Sequence, residues 1–186
     1  MSKKIILLAG PTTSGKSKLA IYLAKKLNGE IINADSMQIY KEFTILSSRP
    51  NKSELKKAKH HLYGMISVRK YFSAGDWLKE AKKKIKLCLK NKKLPIIVGG
   101  TGLYFNTITK GISKIPDIDL KTRVKVRNLF KKLGYKKFYE KLLSLDPKVK
   151  NKILPSDIQR TQRAYEVKLK TKKSLFDWIA NTKSDF

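Results

Sequence analysis

Eight residues, Gly10-Pro11-Thr12-Thr13-Ser14-Gly15-Lys16-Ser17, restrict what this chain can fold into more than any other segment. They fit the spacing G-x-x-x-x-G-K-[ST]. They lie between a short apolar run, Ile5–Ala9, and a stretch with Leu19, Ala20, Leu23, Ala24 and Leu27 at helical spacing. Strand, glycine loop and helix in that order bring successive backbone N–H groups together at a helix amino terminus, where they form an anion nest. Lys16 adds a point charge, and the Ser17 hydroxyl is placed to ligate a Mg²⁺ ion bridging phosphate oxygens. An ordinary glycine turn requires none of this. The loop reads as a diphosphate grip, and what the diphosphate is attached to stays open, since ATP and other diphosphate esters look alike from here.

The flanking sequence extends the pattern. Ile5–Ala9 is expected to be a fully buried first strand, and Asn28-Gly29 closes the helix that follows the loop. Glu30–Ala34 predicts a second strand with Asp35 at its carboxyl end, Ser53–Lys59 a short polar helix, and His61–Ile66 an edge strand. Ser73 with Asp76 three residues on is a capping-box start for a helix reaching about Lys90. Pro95–Val98 predicts another buried strand, ending in Gly99-Gly100-Thr101-Gly102. Strands alternating with helices imply an α/β fold, a P-loop NTPase-like parallel sheet with flanking helices. After about Gly111 no strand-like run remains. Helical segments follow at roughly Asp119–Leu133, Tyr135–Leu143 and Pro155–Leu169, so residues 1–110 read as the α/β core and 111–186 as a helical insertion.

At 186 residues the chain buries one good core with a small appended unit. No apolar run approaches the ~20 residues of a membrane helix, and the run behind Met1-Ser2-Lys3-Lys4 is too short for a signal-peptide core. Cys88, the one cysteine, forms no internal disulfide and reads as a small buried hydrophobe. A cytoplasmic monomer without membrane association is expected. The net charge of +29 attracts phosphate polymers. Only six of the 43 basic residues are arginine, and four of those lie between Arg123 and Arg163. Where lysine is the default cation, arginine marks places that need a planar fork for phosphate or base contact.

Asp35, at the end of a strand beside the loop, is expected to face the crevice where ligands of open α/β sheets bind, and taken alone it reads equally as a helix cap or a solvated loop acid. Many P-loop ATPases carry a Mg²⁺-binding aspartate after a later strand, yet here Ile96-Ile97-Val98 runs into glycines. Thr101 offers a hydroxyl where glycines permit close approach. His60 and His61, adjacent on a strand, point to opposite faces and cannot share one metal ion. No acid–histidine cluster accompanies them along the sequence, so both read as structural.

Six blocks in register carry a resemblance. They are Gly10–Ser17, Asn33-Ala34-Asp35-Ser36-Met37-Gln38, His60-His61-Leu62, Tyr71-Phe72-Ser73-Ala74-Gly75-Asp76, Gly99-Gly100-Thr101-Gly102-Leu103-Tyr104, and Asp157-Ile158-Gln159-Arg160-Thr161-Gln162-Arg163-Ala164-Tyr165-Glu166-Val167. In this order they resemble tRNA dimethylallyltransferases over nearly the whole chain. The resemblance implies transfer of a dimethylallyl group from dimethylallyl diphosphate to the exocyclic amine of the adenine 3′ of the tRNA anticodon. It implies that Gly10, Pro11, Thr12, Thr13, Ser14, Gly15, Lys16 and Ser17 hold the donor's pyrophosphate with Mg²⁺, that Asp35 is the general base, and that Thr101 lines the channel where donor and adenine meet. It assigns tRNA contact to Asp35, Ser36, Met37, Gln38, Thr101, Arg123, Gln159, Arg160, Thr161, Gln162 and Arg163, with the insertion gripping the anticodon stem-loop. Ser48-Arg49-Pro50 departs from the family's usual small residue and lysine before the proline. Family members are also longer, so a chain stopping at Phe186 reads as a truncated product, half of a split gene or a fragment. Beside this stand a P-loop small-molecule or nucleotide kinase, which the missing strand-end aspartate disfavours, and a non-catalytic tRNA-binding remnant.

Overall fold

The computed structural model describes residues 4–184. They form two compact units, the first running to Lys110 and taking in Ser184, the second spanning Gly111–Lys183. The first is built on four parallel strands, β1 (Ile6–Ala9), β2 (Gly29–Asn33), β3 (His60–His61) and β4 (Leu94–Gly99), in the order β1-β4-β2-β3. Helices α1 (Lys16–Lys26), α2 (Lys52–Lys57), α3 (Ala74–Lys90) and α4 (Gly102–Lys110) connect and flank them. This is the α/β parallel sheet with flanking helices that the sequence predicts.

The period of two along a strand builds both faces. Ile31 and Ile96, paired in register, turn to one face and pack with Ala20, Ile21 and Ala24 of α1. Ile32 and Ile97, the next residues along, turn to the other and pack with Trp77, Ala81 and Ile85 of α3 and with Tyr104 and Ile108 of α4. Each fully buried isoleucine contributes about 1.5–3 kcal/mol. Trp77 stacks on Tyr104 at 4.3 Å and donates its indole N–H to the Asn33 carbonyl at 2.8 Å, tying α3 to the end of β2. The predicted capping box starts α3: Ser73 Oγ accepts from the Asp76 N–H, and Asp76 Oδ2 accepts from the Ser73 N–H at 2.9 Å.

Three local expectations are corrected. β1 is not fully buried: among the described strands it pairs with β4 alone, and Ile6 and Leu8 are half-buried while Leu7 is 42% exposed. Its apolar composition is local, but its place at the edge is set by strand order. The strand predicted for His61–Ile66 shrinks to His60–His61 with an isolated bridge between Tyr40 and Ile66, because Leu62 (φ 64°) and Gly64 (φ 54°) leave the extended region. Helix α2 starts one residue early, at a capping box of Asn51 and Glu54.

The second unit is helical. Its first helix, α5 (Leu120–Leu145), is interrupted at Gly134 (φ 70°, ψ 172°), which divides it into the two segments the sequence separates there. A 3-10 turn (Pro147–Val149) leads to α6 (Ile158–Thr171) and α7 (Leu175–Ala180). Helix α6 begins later than the expected Pro155, because the Asp157 side chain caps it by accepting from the Arg160 N–H. Val126, Phe138, Leu142, Val149, Ile153, Ala164 and Tyr165 form the core, with Phe138 5.3 Å from Phe130 and 5.1 Å from Tyr165. Among the described residues no helix is long and apolar enough to cross a membrane.

Candidate functional site

The loop between β1 and α1 has the backbone an anion nest requires. Thr13 (φ 67°) and Gly15 (φ 80°) both lie in the left-handed region, and Gly15 is the residue preceding the first turn of α1. Pro11, Thr12, Thr13, Ser14, Gly15 and Ser17 are exposed, while Gly10 and Lys16 are partly buried. The Lys16 ammonium folds back over the loop, donating to the Pro11 carbonyl and, at 3.3 Å, to Ser14 Oγ. A single bound anion would offer that ammonium the stronger, charged partner.

Asp35 follows β2 and is held there by Asn33, which is fully buried. The Asn33 amide donates to the carbonyls of Asp35 (2.9 Å) and Leu62 (3.1 Å), and its Oδ1 accepts from the Asp35 N–H at 2.9 Å. Asp35 Oδ1 accepts from the Met37 N–H, closing a tight turn over Asp35–Met37. Gly99 lets this turn meet β4, because a Cβ there would overlap the Ala34 carbonyl. A Cβ placed on Gly100 would stand 3.4 Å from the Gly10 carbonyl and 3.8 Å from Asp35 Oδ2, so loop, carboxylate and the glycine run share one corner. Thr12, Thr13, Lys16, Ser17, Asp35, Gln38, Ser48, Tyr63, Val98 and Gly99 line the cavity between them.

Thr101 is partly buried beside this turn, and its Oγ1 accepts from the Ser36 N–H at 2.9 Å. Its hydroxyl braces the Asp35–Gln38 turn. Gln38 in turn donates to the Ser47 carbonyl at 2.8 Å, anchoring the loop that carries Ser48. No sequence pattern points to Ser48 or Tyr63 as lining residues, although each adjoins a segment that stands out: Ser48 opens the Ser-Arg-Pro departure, and Tyr63 follows His60-His61-Leu62. Burial first, and then the Asp35 charge, pushes the Tyr63 phenol well above its ordinary range.

In the second unit Gln159 and Arg160 are exposed on α6, and Gln162 and Arg163 are half-buried. Arg160 Nε lies 3.3 Å from Asp157 and Arg163 3.6 Å from Glu166, while Arg123 Nε donates to the Ile118 carbonyl at 3.1 Å. Thr161 corrects its assignment to tRNA contact. It is 1% exposed and its hydroxyl donates to the Ile158 carbonyl, so the side chain is turned inward.

The structure also corrects the view that no acid accompanies the histidines. His60 stays structural, its Nδ1 on the Ala58 carbonyl and its ring edge-on to Tyr63. His61, on the opposite face, puts Nε2 2.6 Å from Glu30 Oε2, and Cys88 Sγ lies 3.5 Å from the same oxygen. All three side chains are buried. Burial raises the Glu30 pKa, but the hydrogen bonds from His61 and Cys88 and the Lys59 charge outweigh it and hold the carboxyl below its usual range. No sequence signal groups residues this far apart.

With the geometry in place, similarity to known proteins becomes informative. A family model described as IPP transferase matches residues 38–185. The chain is 58% identical over 183 residues to a tRNA dimethylallyltransferase of Pelagibacter ubique, covering 98% of this chain and 58% of that protein. It is 49% identical over 176 residues to one from Rickettsia massiliae, covering 95% and 48%. Among solved structures, it resembles a eukaryotic dimethylallyltransferase acting on tRNA with a TM-score of 0.84 and 32% identity, over 98% of this chain and 45% of that one. It matches the tRNA isopentenylpyrophosphate transferase of Bacillus halodurans with a TM-score of 0.60 and 33% identity, over 94% and 57%. The chain spans about half the length of the curated relatives it matches. A family match reaching from the Asp35–Gln38 turn to the last helix, on top of a shared fold, leaves one conclusion: the chain belongs to the IPP transferase family.

Proposed function

We propose that this chain carries the donor site and the proton-accepting carboxylate of a cytoplasmic enzyme that moves a dimethylallyl group from dimethylallyl diphosphate to an adenine amine beside a tRNA anticodon. One observation carries this: the phosphate nest, Lys16, Ser17 and Asp35 line a single cavity. In the reaction the allylic C–O bond breaks, pyrophosphate leaves, and a new C–N bond forms to the exocyclic nitrogen, whose proton passes to Asp35. The allylic cation forms readily, so the main requirement is to stabilise the charge on departing pyrophosphate, which loop amides and Lys16 are placed to do. The adenine amine is a weak nucleophile, and a carboxylate accepting its proton helps its attack. The hard oxygens of the Ser17 hydroxyl and a diphosphate suit Mg²⁺, which would supply further charge stabilisation there.

The target base has to leave its stack to reach a cavity at the strand ends. The turn at Ser36, Met37 and Gln38, of which Met37 is exposed and its neighbours partly buried, together with Arg123, Gln159, Arg160, Gln162 and Arg163, supplies the groups proposed to hold the RNA. Asp35→Asn tests the proposal. It preserves shape and the turn's hydrogen bonding but accepts no proton, so single-turnover prenyl transfer to an anticodon stem-loop should slow ~10²–10⁴-fold while donor affinity holds. Equal losses in both quantities, or none in either, would make Asp35 structural.

A further inference from the structure

Behind the strand ends that form the donor cavity, three elements deliver one donor atom each to a common point. Glu30 enters from β2, His61 from β3 and Cys88 from α3, and the candidate ligand atoms all lie within 4.8 Å of one another. A carboxylate–imidazole pair alone would account for Glu30 and His61. It does not require the thiol, which gives Glu30 a weak hydrogen bond at 3.5 Å and adds the one soft ligand atom of the set.

We propose that Glu30, His61 and Cys88 form a binding site for one divalent cation of borderline softness, with Zn²⁺ as the fitting occupant. One oxygen, one imidazole nitrogen and one sulfur exclude Mg²⁺ and Ca²⁺, which take oxygen shells, and match the mixed sets that bind zinc. Zn–S near 2.3 Å and Zn–N or Zn–O near 2.0–2.1 Å place tetrahedral ligand atoms roughly 3.3–3.6 Å apart. The separations of 2.6 and 3.5 Å, with the third pair within 4.8 Å, bracket that range, so side-chain shifts of about 1 Å close the set.

The charges also close. Carboxylate and thiolate together balance a divalent ion in the core. On binding, the Cys88 thiol proton leaves to solvent, and the proton shared by His61 Nε2 and Glu30 Oε2 moves to Nδ1 or to solvent, freeing the Nε2 lone pair. Lys59, 58% exposed at its side chain and 3.4 Å from Glu30 Oε1, now neutralises the carboxylate from the solvent side. Its ammonium withdraws into water at little cost and marks the route of entry. Burial, and then the Glu30 charge, pushes the Cys88 thiol up to about 12, so without a metal it is inert. The site therefore serves as a core staple joining β2, β3 and α3 rather than as a reactive centre.

The test uses the whole chain, stripped with a chelator and titrated with Co²⁺ as the optical probe. The proposal expects one equivalent bound with a thiolate-to-cobalt charge-transfer band, displacement by Zn²⁺, and a Zn²⁺-dependent rise in Tm. Affinity should tighten about tenfold per pH unit for each proton released. Cys88→Ala and the closer-fitting Cys88→Ser should abolish the band and weaken Zn²⁺ binding beyond the ~10–100-fold typical of lost outer-shell groups. His60→Gln, on the opposite face of the strand, should change nothing. No thiolate band in the parent chain, or Zn²⁺ affinity unaltered in folded Cys88 variants, would overturn the site and leave a hydrogen-bonded core pair. None of these readouts depends on prenyl transfer.

Discussion

In the first unit the proposed anion-binding groups are mostly backbone. Thr13, Gly15 and the first turn of α1 fix the direction of the loop amides, and only Lys16 and Ser17 contribute side chains to the grip. In the second unit the proposed RNA-binding groups are side chains on α5 and α6, and the three arginines among them are already engaged: Arg123 with the Ile118 carbonyl, Arg160 with Asp157, Arg163 with Glu166. Arg160 is mostly exposed at its side chain, where such a pair is worth at most ~1 kcal/mol, so RNA can displace the acid cheaply. The contrast is between a proposed preorganised small-ligand site and a proposed adaptable polymer surface. The first gains affinity because its loop backbone is already set and the Lys16 side chain alone has to change partner. The second can follow a large, variable backbone.

Two units of different character require separate cores, and a substitution inside one core tests for them. Phe138 packs between Phe130 and Tyr165, so Phe138→Ala should cost about 3–5 kcal/mol. Trp77 reports on the first unit and Trp178 on the second. In single-tryptophan variants, denaturant melting followed through Trp178 should shift strongly and through Trp77 much less. Coincident shifts would mean one cooperative block and would remove the basis for contrasting two.

Smaller losses are expected at the arginines of the second unit. Arg123→Lys, Arg160→Lys and Arg163→Lys keep net charge, so the salt dependence of binding should stay unchanged. Removing a bidentate fork should weaken binding of an anticodon stem-loop by ~1–3 kcal/mol at each site, while Lys131→Ala or Lys136→Ala should weaken all RNAs slightly and alike. Stem-loop titrations at two salt concentrations distinguish these patterns, and silent Arg→Lys changes would make the arginines incidental. Smaller still is Ser73→Ala, which removes one half of the α3 capping box and should cost about 1 kcal/mol. That loss should appear in Trp77 melting and not in Trp178 melting.

Features set by neighbouring residues are readable from the sequence. The β1–loop–α1 order, the buried runs of β2 and β4, the α3 capping box and the break at Gly134 each follow from a few consecutive side chains. Helix α4 is not legible there, because Tyr104, Phe105, Thr107, Ile108 and Thr109 favour strands, and packing of Tyr104 and Ile108 against α3 overrides that preference. The edge position of β1 depends on strand order, which no local pattern encodes. In the site, the loop and Asp35 are legible because their spacing is the chemistry. Ser48 and Tyr63 adjoin the cavity only once the chain has folded, and the bond of Thr101 to Ser36 and the inward turn of Thr161 depend on which hydrogen bonds the fold offers them. The Glu30–His61–Cys88 cluster is invisible in the sequence because its members meet only after the sheet and α3 assemble.

The proposal that Gly10–Ser17 holds the diphosphate of the donor is open to calorimetric titration of dimethylallyl diphosphate into the chain and its Lys16→Ala variant. Removing one charge-assisted hydrogen bond should weaken binding by ~1.5–3 kcal/mol, about 10- to 150-fold, with the fold unchanged by circular dichroism. Equal affinity for the donor in a folded Lys16→Ala variant would contradict the account.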